Sequence, residues 1–193
     1  MAKEFNENGK QQEQLIEKLI SVRRVTKVVK GGKNMRFSAL VVVGDGKGRI
    51  GYATAKAREV PDAIKKAGDR AKRSMIRVSL FDGRTIRCDI SSKVGSGHVF
   101  LKTAGCGTGV IAGGAMRAIF DALGVKDVVS KSVGSRNYHN VVRATFDALK
   151  KTASPKYVAS KLGKSFSDII ARRIDASGKQ NDRKTSETEA INE

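Results

Sequence analysis

Residues 22–55 read VRRVTKVVKGGKNMRFSALVVVGDGKGRIGYATA, and this stretch decides the fold of the first half of the chain. Basic and apolar side chains alternate over 22–29, which predicts a strand with one solvated face. Residues 37–43 are too apolar for a strand with a wet face, so we expect that strand to be central. The glycines of 44–48 predict a hairpin turn, and 49–55 is the returning third strand.

The flanks of this stretch complete a first domain. Residues 1–14 are polar and predict a disordered N-terminus, and 14–20 favours a short helical turn. Pro61 suits the first position of a helix. The apolar residues of that helix repeat at helical spacing: Val60, Ile64, Ala67, Ala71 and Met75. We therefore expect residues 15–78 to form a three-stranded sheet covered by one helix.

The second half of the chain alternates strands with helices. In chain order the pattern predicts a strand pair at 84–90 and 98–103, a glycine-rich loop at 105–109, a helix at 113–123, a strand at 127–133 and a helix at 138–151. This order predicts a C-terminal α/β (βαβα) domain over 79–173 that ends in short helices, the first capped by Ser154. Residues 174–193 are expected to be a disordered tail. The predicted fold class is α+β.

Positive charge dominates the composition. The chain has 193 residues, a formal net charge of +19 and a pI near 10.2. Residues 21–75 hold 15 Lys and Arg against four acids. Like charges on a small domain repel each other, and a phosphate backbone relieves that repulsion while it releases its own counterions. The charge therefore points to a nucleic acid partner, and both halves are basic, unlike an enzyme with one basic tail.

The candidate RNA contacts lie on the first strand, on the loop after it and on the next hairpin. In loop 30–33 two glycines allow backbone amides to approach a phosphate, and a lysine stands at either end. The candidate RNA-binding residues are Arg23, Arg24, Lys27, Lys30, Gly31, Gly32, Lys33, Lys47, Arg49, Lys56 and Arg58. An exposed edge strand kept soluble by its charge is the alternative interpretation. Phe37 and Tyr52 are candidates for stacking on bases, although core packing suits Phe37 better.

Low aromatic content bears on the kind of nucleic acid. Aromatic residues make up 5% of the chain and Trp is missing from it, which disfavours a platform for stacking single strands. Recognition of folded RNA by its shape fits this composition better.

Two glycine-rich stretches raise the possibility of a nucleotide site. Residues 46–51 match the dinucleotide fingerprint, but a strand follows them where that fingerprint needs a helix. Residues 105–114 lie between a strand and a helix, where backbone amides are able to hold a phosphate. They lack the Lys-Ser/Thr of a Walker loop and a carboxylate pair for magnesium, so close packing or a partner interface is the favoured interpretation. A small-molecule kinase built on this loop remains the enzyme alternative.

Other site chemistries find little support. His98, His139, Cys88 and Cys106 are too few and too scattered for a zinc site, so we expect no metal, cofactor or catalytic residues. Two cysteines do not make a disulfide framework in a chain of this size, which predicts reduced thiols in the cytoplasm. Apolar runs of about 20 residues, the length that spans a bilayer, are missing, so a membrane role is not expected.

Four motifs together resemble the family of bacterial small-subunit ribosomal protein five. They are RVTKVVKGG at 24–32, ALVVVGDG at 39–46, KAREVP at 56–61 and GTGVIAGGAMR at 107–117. Their order and spacing fit the family as well, and the resemblance runs from about residue 15 to 170.

The resemblance implies a first domain similar to double-stranded-RNA-binding domains and a non-enzymatic role in the ribosome. It implies binding to small-subunit ribosomal RNA near the junction of head and body, stabilisation of the head relative to the body, and a share in translational accuracy. The implied neighbours are small-subunit proteins four and eight and the messenger RNA entry path. The loop matching 26–32 is implied to reach into RNA, and Gly107, Gly109 and Arg117 to lie towards protein four. A free-standing regulator of duplex RNA is the competing hypothesis.

Overall fold

The structure, a computed structural model, describes residues 15–165 and has 10 strands and four helices within them. In chain order they are β1 (Ile16–Val29), β2 (Gly32–Gly44), β3 (Arg49–Ala57), α1 (Val60–Arg73), β4 (Ile76–Arg77), β5 (Leu80–Phe81), β6 (Thr85–Ile86), β7 (Ile90–Val94), β8 (Gly97–Thr103), β9 (Val110–Ile111), α2 (Gly114–Leu123), β10 (Val128–Val133), α3 (Tyr138–Lys151) and α4 (Pro155–Leu162). The disorder predicted for 1–14 and 174–193 lies outside the described residues. A helix of sufficient length and apolarity to span a bilayer is not found within 15–165.

The first sheet is antiparallel and has the order β1-β2-β3-β4, with β2 as a central strand as predicted. It has a fourth strand because the chain after α1 returns to pair Ile76 with Ile50. The helical turn predicted for 14–20 is wrong, since Ile16–Ile20 belongs to β1. Pairing with the apolar strand β2 overrides the local helical preference of that segment.

Helix α1 covers one face of this sheet. Its buried residues are Ala63, Ala67, Gly68 and Ala71, and the three alanines pack on Ala39, Val41 and Val43 of β2. A Cβ added at Gly51 of β3 would lie 2.2 Å from the carbonyl oxygen of Ala71, so helix and strand are in backbone contact there. Small residues on both elements make this close packing possible.

The second sheet has the order β7-β8-β10-β9. Strand β10 pairs antiparallel with β8 and parallel with β9, and α2 connects the two parallel strands. The strand predicted at 84–90 is wrong: β7 pairs with β8, while Thr85–Ile86 pairs with Leu80–Phe81 in a separate hairpin. Residues Ile90–Val94 include several polar side chains, so their sequence does not predict a strand. They form one because the turn at Gly95 brings them into pairing with β8.

The mixed α+β class, an antiparallel sheet followed by an α/β region, is confirmed. The helix predicted for 138–151 is present with those bounds, and it buries Val142, Phe146 and Leu149 as expected. The helix predicted for 113–123 begins one residue later, at Gly114, and ends at Leu123; Gly124 follows as its C-cap with a φ of 86°. The domain boundary predicted between residues 78 and 79 stays a prediction.

One apolar core joins the two sheets. Leu40 and Val42 point away from α1 and belong to the same buried cluster as Phe120 and Leu149 of helices α2 and α3. The ring of Tyr52 packs on Phe146 with centroids 4.4 Å apart. The two sheets therefore fold around shared side chains rather than around separate cores.

The turn between β2 and β3 is docked on the C-terminal end of α2. The N–H groups of Gly46 and Gly48 donate to the carbonyl oxygens of Ala122 and Leu123, each at 3.1 Å. These are two of the carbonyls that a helix leaves unpaired at its end. A Cβ at Gly124 would lie 2.0 Å from the carbonyl oxygen of Gly46, so this docking needs glycine.

Asp127 holds the glycine-rich loop of residues 105–109. Its Oδ1 accepts from the N–H groups of Gly107 and Gly109 at 3.1 and 3.0 Å, and its Oδ2 from the guanidinium of Arg84 at 2.9 Å. The hydrogen bond from Gly109, followed by that from Arg84, lowers the pKa of the Asp127 carboxyl. Asp127 is 2% exposed, so the loop is built around a buried charge that is fully paired.

Helix α4 belongs to a second compact unit that begins at Ala153. Ser154 caps it as predicted, since its hydroxyl accepts from the N–H of Tyr157 at 3.2 Å. Gly163 ends it with a φ of 61°.

Substituting Gly124→Ala tests the docking of the turn. We expect a loss of more than about 2 kcal/mol in the free energy of unfolding, because the positive φ and the contact with Gly46 both oppose a side chain. Urea denaturation measures it. The matched control is Gly83→Ala. Gly83 also has a positive φ, 65°, but a Cβ there would meet nothing within 4 Å, so this variant should lose less free energy of unfolding. Equal losses in the two variants would show that the contact with Gly46 adds nothing.

Substituting Asp127→Asn tests the anchor of the loop. A carboxyl whose pKa is lowered by folding stabilises the fold above its ordinary pKa, and this contribution is lost as the pH falls through the lowered value. We expect the variant to be less stable than the wild type at neutral pH and to lose less stability on acidification. Urea denaturation across the acid range measures both. If the free energy of unfolding of the variant fell with pH in the acid range as steeply as that of the wild type, Asp127 would not be the carboxyl responsible for this loss.

Candidate nucleic-acid interface

The distal part of the β1–β2 hairpin, residues 23–38, projects as a two-stranded arm, here called the arm. Its register runs from Arg23 opposite Ser38 to Val29 opposite Gly32. Nearly every residue in it is exposed, and full burial on β2 starts only at Ala39. The arm is therefore held by its own ladder of backbone hydrogen bonds and lies open to solvent on both faces.

The charge of the arm has a single sign. Residues 23–38 contain six basic and no acidic side chains. Cross-strand partners share a face of a sheet, so the register assigns each cation to a side. The face that continues Leu40 and Val42 carries Arg23, Lys27 and Arg36, and the opposite face carries Arg24 and Lys33, with Lys30 in the turn between the strands. The arm can therefore bind a polyanion on either of its faces and at its tip.

The glycines at the tip of the arm leave its backbone accessible, because they carry no side chain. Gly32 has a φ of 138°, a conformation that favours glycine, and a Cβ at Gly31 or Gly32 would meet nothing within 4 Å. The loop predicted at 30–33 is shorter than expected, because Gly32 and Lys33 already belong to β2. Backbone amides and two lysines are thus accessible together at the end of the arm.

Lys56 and Arg58 join the arm at its base. Lys56 pairs with Ser38, which pairs on its other side with Arg23, so the two cations lie in one row across three strands. Arg58 follows the end of β3 and is exposed.

Lys47 and Arg49 lie at the other end of the sheet. At a rise of about 3.3 Å per residue, the length of β2 separates them from the tip by about 40 Å. The guanidinium of Arg49 pairs with Asp45 at 3.2 Å, within the turn that docks on α2. The structure does not bring these two predicted contacts together with the arm.

Aromatic residues near the arm are engaged within the protein. Arg23 lies over the ring of Tyr138 at 5.8 Å, which links the base of the arm to the start of α3. Burial, followed by the positive charges of Arg23 and Arg143, lowers the pKa of the neighbouring His139. Tyr52 contacts Phe146, so its ring faces the core rather than a base. Phe37 is half-buried on β2.

The prediction from the sequence missed three residues of the arm. Arg36 is not among the predicted contacts although it pairs with Val25 on the arm, and the apolar residues Val28 and Met35 there are 71% and 52% exposed. The signal for Arg36 was present in the sequence, since extending the hairpin outward from the glycine turn places it on the arm.

The predicted protein contact is exposed but its backbone amides are not free. Gly107 and Arg117 are exposed, and Gly109 is half-buried. The amides of the two glycines already bind the Asp127 carboxylate, which occupies the place that a phosphate would take. This occupation counts against the kinase alternative. Over residues 15–165, no group of three or more His, Cys, Asp or Glu side chains is placed to hold a metal ion.

Comparison with known proteins gives two family matches. Residues 15–79 match the model described as "Ribosomal protein S5, N-terminal domain", and residues 92–162 match "Ribosomal protein S5, C-terminal domain".

Full-length relatives agree with these matches. A protein of Gluconacetobacter diazotrophicus named "Small ribosomal subunit protein uS5" is 54% identical over 180 residues, which cover 90% of this chain and 94% of the relative. A protein of the same name from Granulibacter bethesdensis is 55% identical over 184 residues, which cover 93% of this chain and 97% of the relative. Another from Hyphomonas neptunium is 57% identical over 162 residues, which cover 84% of this chain and 81% of the relative. The chain belongs to the ribosomal protein S5 family.

Proposed function

We propose that this protein is a structural, non-enzymatic component of the small ribosomal subunit and that it binds ribosomal RNA through the arm. The observation that carries the proposal is the exposed arm with six cations and no acid. Family membership supplies the ribosomal context. In that context the protein works in the bacterial cytoplasm as part of the subunit.

The distribution of charge on the arm supports contact with RNA on more than one side. Cations on both faces and at the tip can neutralise phosphates that approach from opposite directions. A single flat duplex surface would use one face only. The arm is therefore suited to insertion between two segments of folded RNA, which it would recognise by shape.

Finer roles are proposed on the resemblance to the family. The protein stabilises the head of the subunit relative to its body and contributes to translational accuracy, with small-subunit proteins four and eight and the messenger RNA path as neighbours. The loop of Gly107 and Gly109 is suited to a protein contact because Asp127 fixes its shape while its outer surface stays exposed. Arg117 lies exposed on α2 within the same matched segment.

The double substitution Lys27→Ala/Lys30→Ala tests the arm. We expect weaker binding to small-subunit ribosomal RNA and a slope of log affinity against log salt that is shallower by about 0.7–0.9 for each phosphate that the variant no longer neutralises. Filter binding at several salt concentrations measures both quantities. Neither side chain is buried, so the fold should persist.

The matched control removes the same charge from α1. Lys65→Ala/Lys66→Ala also deletes two exposed lysines, and we expect it to change the slope less than the arm variant. An arm variant that binds RNA as the wild type does, or no more weakly than this control, would count against the arm as the RNA contact.

Sedimentation of cell extracts separates the ribosomal role from a free-standing regulator of duplex RNA. A subunit component is expected to migrate with the small subunit in a sucrose gradient, and immunoblotting of the fractions detects it. A protein found chiefly at the top of the gradient, still able to bind duplex RNA, would favour the regulator instead.

A further inference from the structure

The second sheet has one face that helices α2 and α3 do not cover. Helices α2 and α3 pack on the side of Val99, Leu101 and Val128, which are fully buried. The alternate residues of the same strands point to the opposite side, here called the open face. The register arranges them in three rows: Ile111, Val129 and Lys102; Lys131, Phe100 and Ser91; and Val133, His98 and Lys93.

Apolar and aromatic groups on the open face are unusually accessible. Phe100, Val133 and Ile111 are 40%, 50% and 55% exposed. The ring of Phe100 lies 4.2 Å from that of His98, centroid to centroid, at an interplanar angle of 47°. Two rings thus stand together at the centre of a solvated sheet, where a one-sided sheet ordinarily carries polar residues.

The charge of the open face is purely positive. Each of the three rows holds one exposed lysine, Lys102, Lys131 or Lys93, and none holds an acid. Asp89 lies beside the rim, where its carboxylate accepts from the N–H and the hydroxyl of Thr103 at 2.8 and 3.0 Å. The lysines surround the rings rather than forming a separate patch.

This combination fits unpaired RNA better than protein. The centre of a protein–protein interface is depleted of lysine, whereas a lysine stands in every row of this face. Duplex RNA hides its bases within the stack, so it would make no use of the exposed rings. An unpaired strand offers both base faces for stacking and phosphates for the lysines.

We propose that the open face binds a single-stranded RNA segment, with a base stacked on Phe100 beside His98 and the backbone held by Lys93, Lys102 and Lys131. This site is separate from the arm, and its residues lie on a different sheet. The low aromatic content of the whole chain gives no sign of this site in the sequence. Two rings are enough for a base to stack on when the fold places them side by side.

The test uses the full chain with Lys27→Ala/Lys30→Ala as background, which removes two of the six cations of the arm and so reduces its contribution. Fluorescence anisotropy at low salt follows binding of a labelled 12-mer oligouridylate, with a 12-bp RNA duplex for comparison. Phe100→Ala is expected to weaken oligouridylate binding by about 5- to 100-fold and to change duplex binding less. Lys102→Ala/Lys131→Ala should flatten the salt slope by about 0.7 for each phosphate that these lysines neutralise in the wild type.

Two further variants separate stacking from general effects. Phe81→Ala removes a similarly exposed phenylalanine, 49% exposed, from the hairpin of β5 and β6 and should leave the affinity unchanged. Phe100→Tyr should retain binding, whereas Phe100→Leu, which keeps apolar area without a ring, should not. Circular dichroism checks that each variant is folded.

Several results would overturn the proposal. They are equal affinity for oligouridylate in Phe100→Ala and Phe81→Ala, full binding by Phe100→Leu, or a preference for the duplex in the background variant. Another such result is a protein that fails to bind oligouridylate and instead forms a concentration-dependent dimer that Phe100→Ala abolishes. That result would assign the open face to a second copy of the chain. Because the arm is tested with ribosomal RNA and separate variants, its failure is distinguishable from failure here.

Discussion

The docking of a five-residue turn on the end of a helix is the constraint on which the rest of the structure depends. Gly46 and Gly48 satisfy two terminal carbonyls of α2, and Gly124 leaves room for the approach. Leu40 and Val42 then reach the core of the second sheet. An ion pair of 2.8 Å between Lys18 and Asp121 spans the same junction. The two sheets consequently share one core.

A rigid junction explains how so much positive charge is tolerated. Buried side chains gather between the sheets and under α1, while the six cations of the arm lie on a hairpin with no layer behind it. On the arm, repulsion between cations acts on a hairpin and not on the core. On the second sheet, the lysines of the proposed open face stand on the side away from helices α2 and α3, so charge and core lie on opposite faces of that sheet.

The parts of the fold that the sequence predicts are those with strong local signals. The glycines of 44–48, Pro61 and the periodicity of 138–151 mark their elements correctly. The failures at 14–20 and 84–90 have different causes: residues 16–20 take their structure from the distant strand β2, whereas Thr85–Ile86 pairs with the nearby Leu80–Phe81. The basic arm was predictable from charge and turn glycines. The separation of Lys47 and Arg49 from it was not, since it depends on the length of β2 and on α2.

The arm also has a consequence for the protein before it meets its partner. A hairpin that contains six cations and no acid, with accessible Val28 and Met35, attracts polyanions whatever their sequence. If the arm binds RNA as proposed, chain made in excess of its target would bind other polyanions through the same charges. On that proposal, the same charge that gives the arm its affinity leaves it little means to discriminate between polyanions before the shape of the RNA is matched.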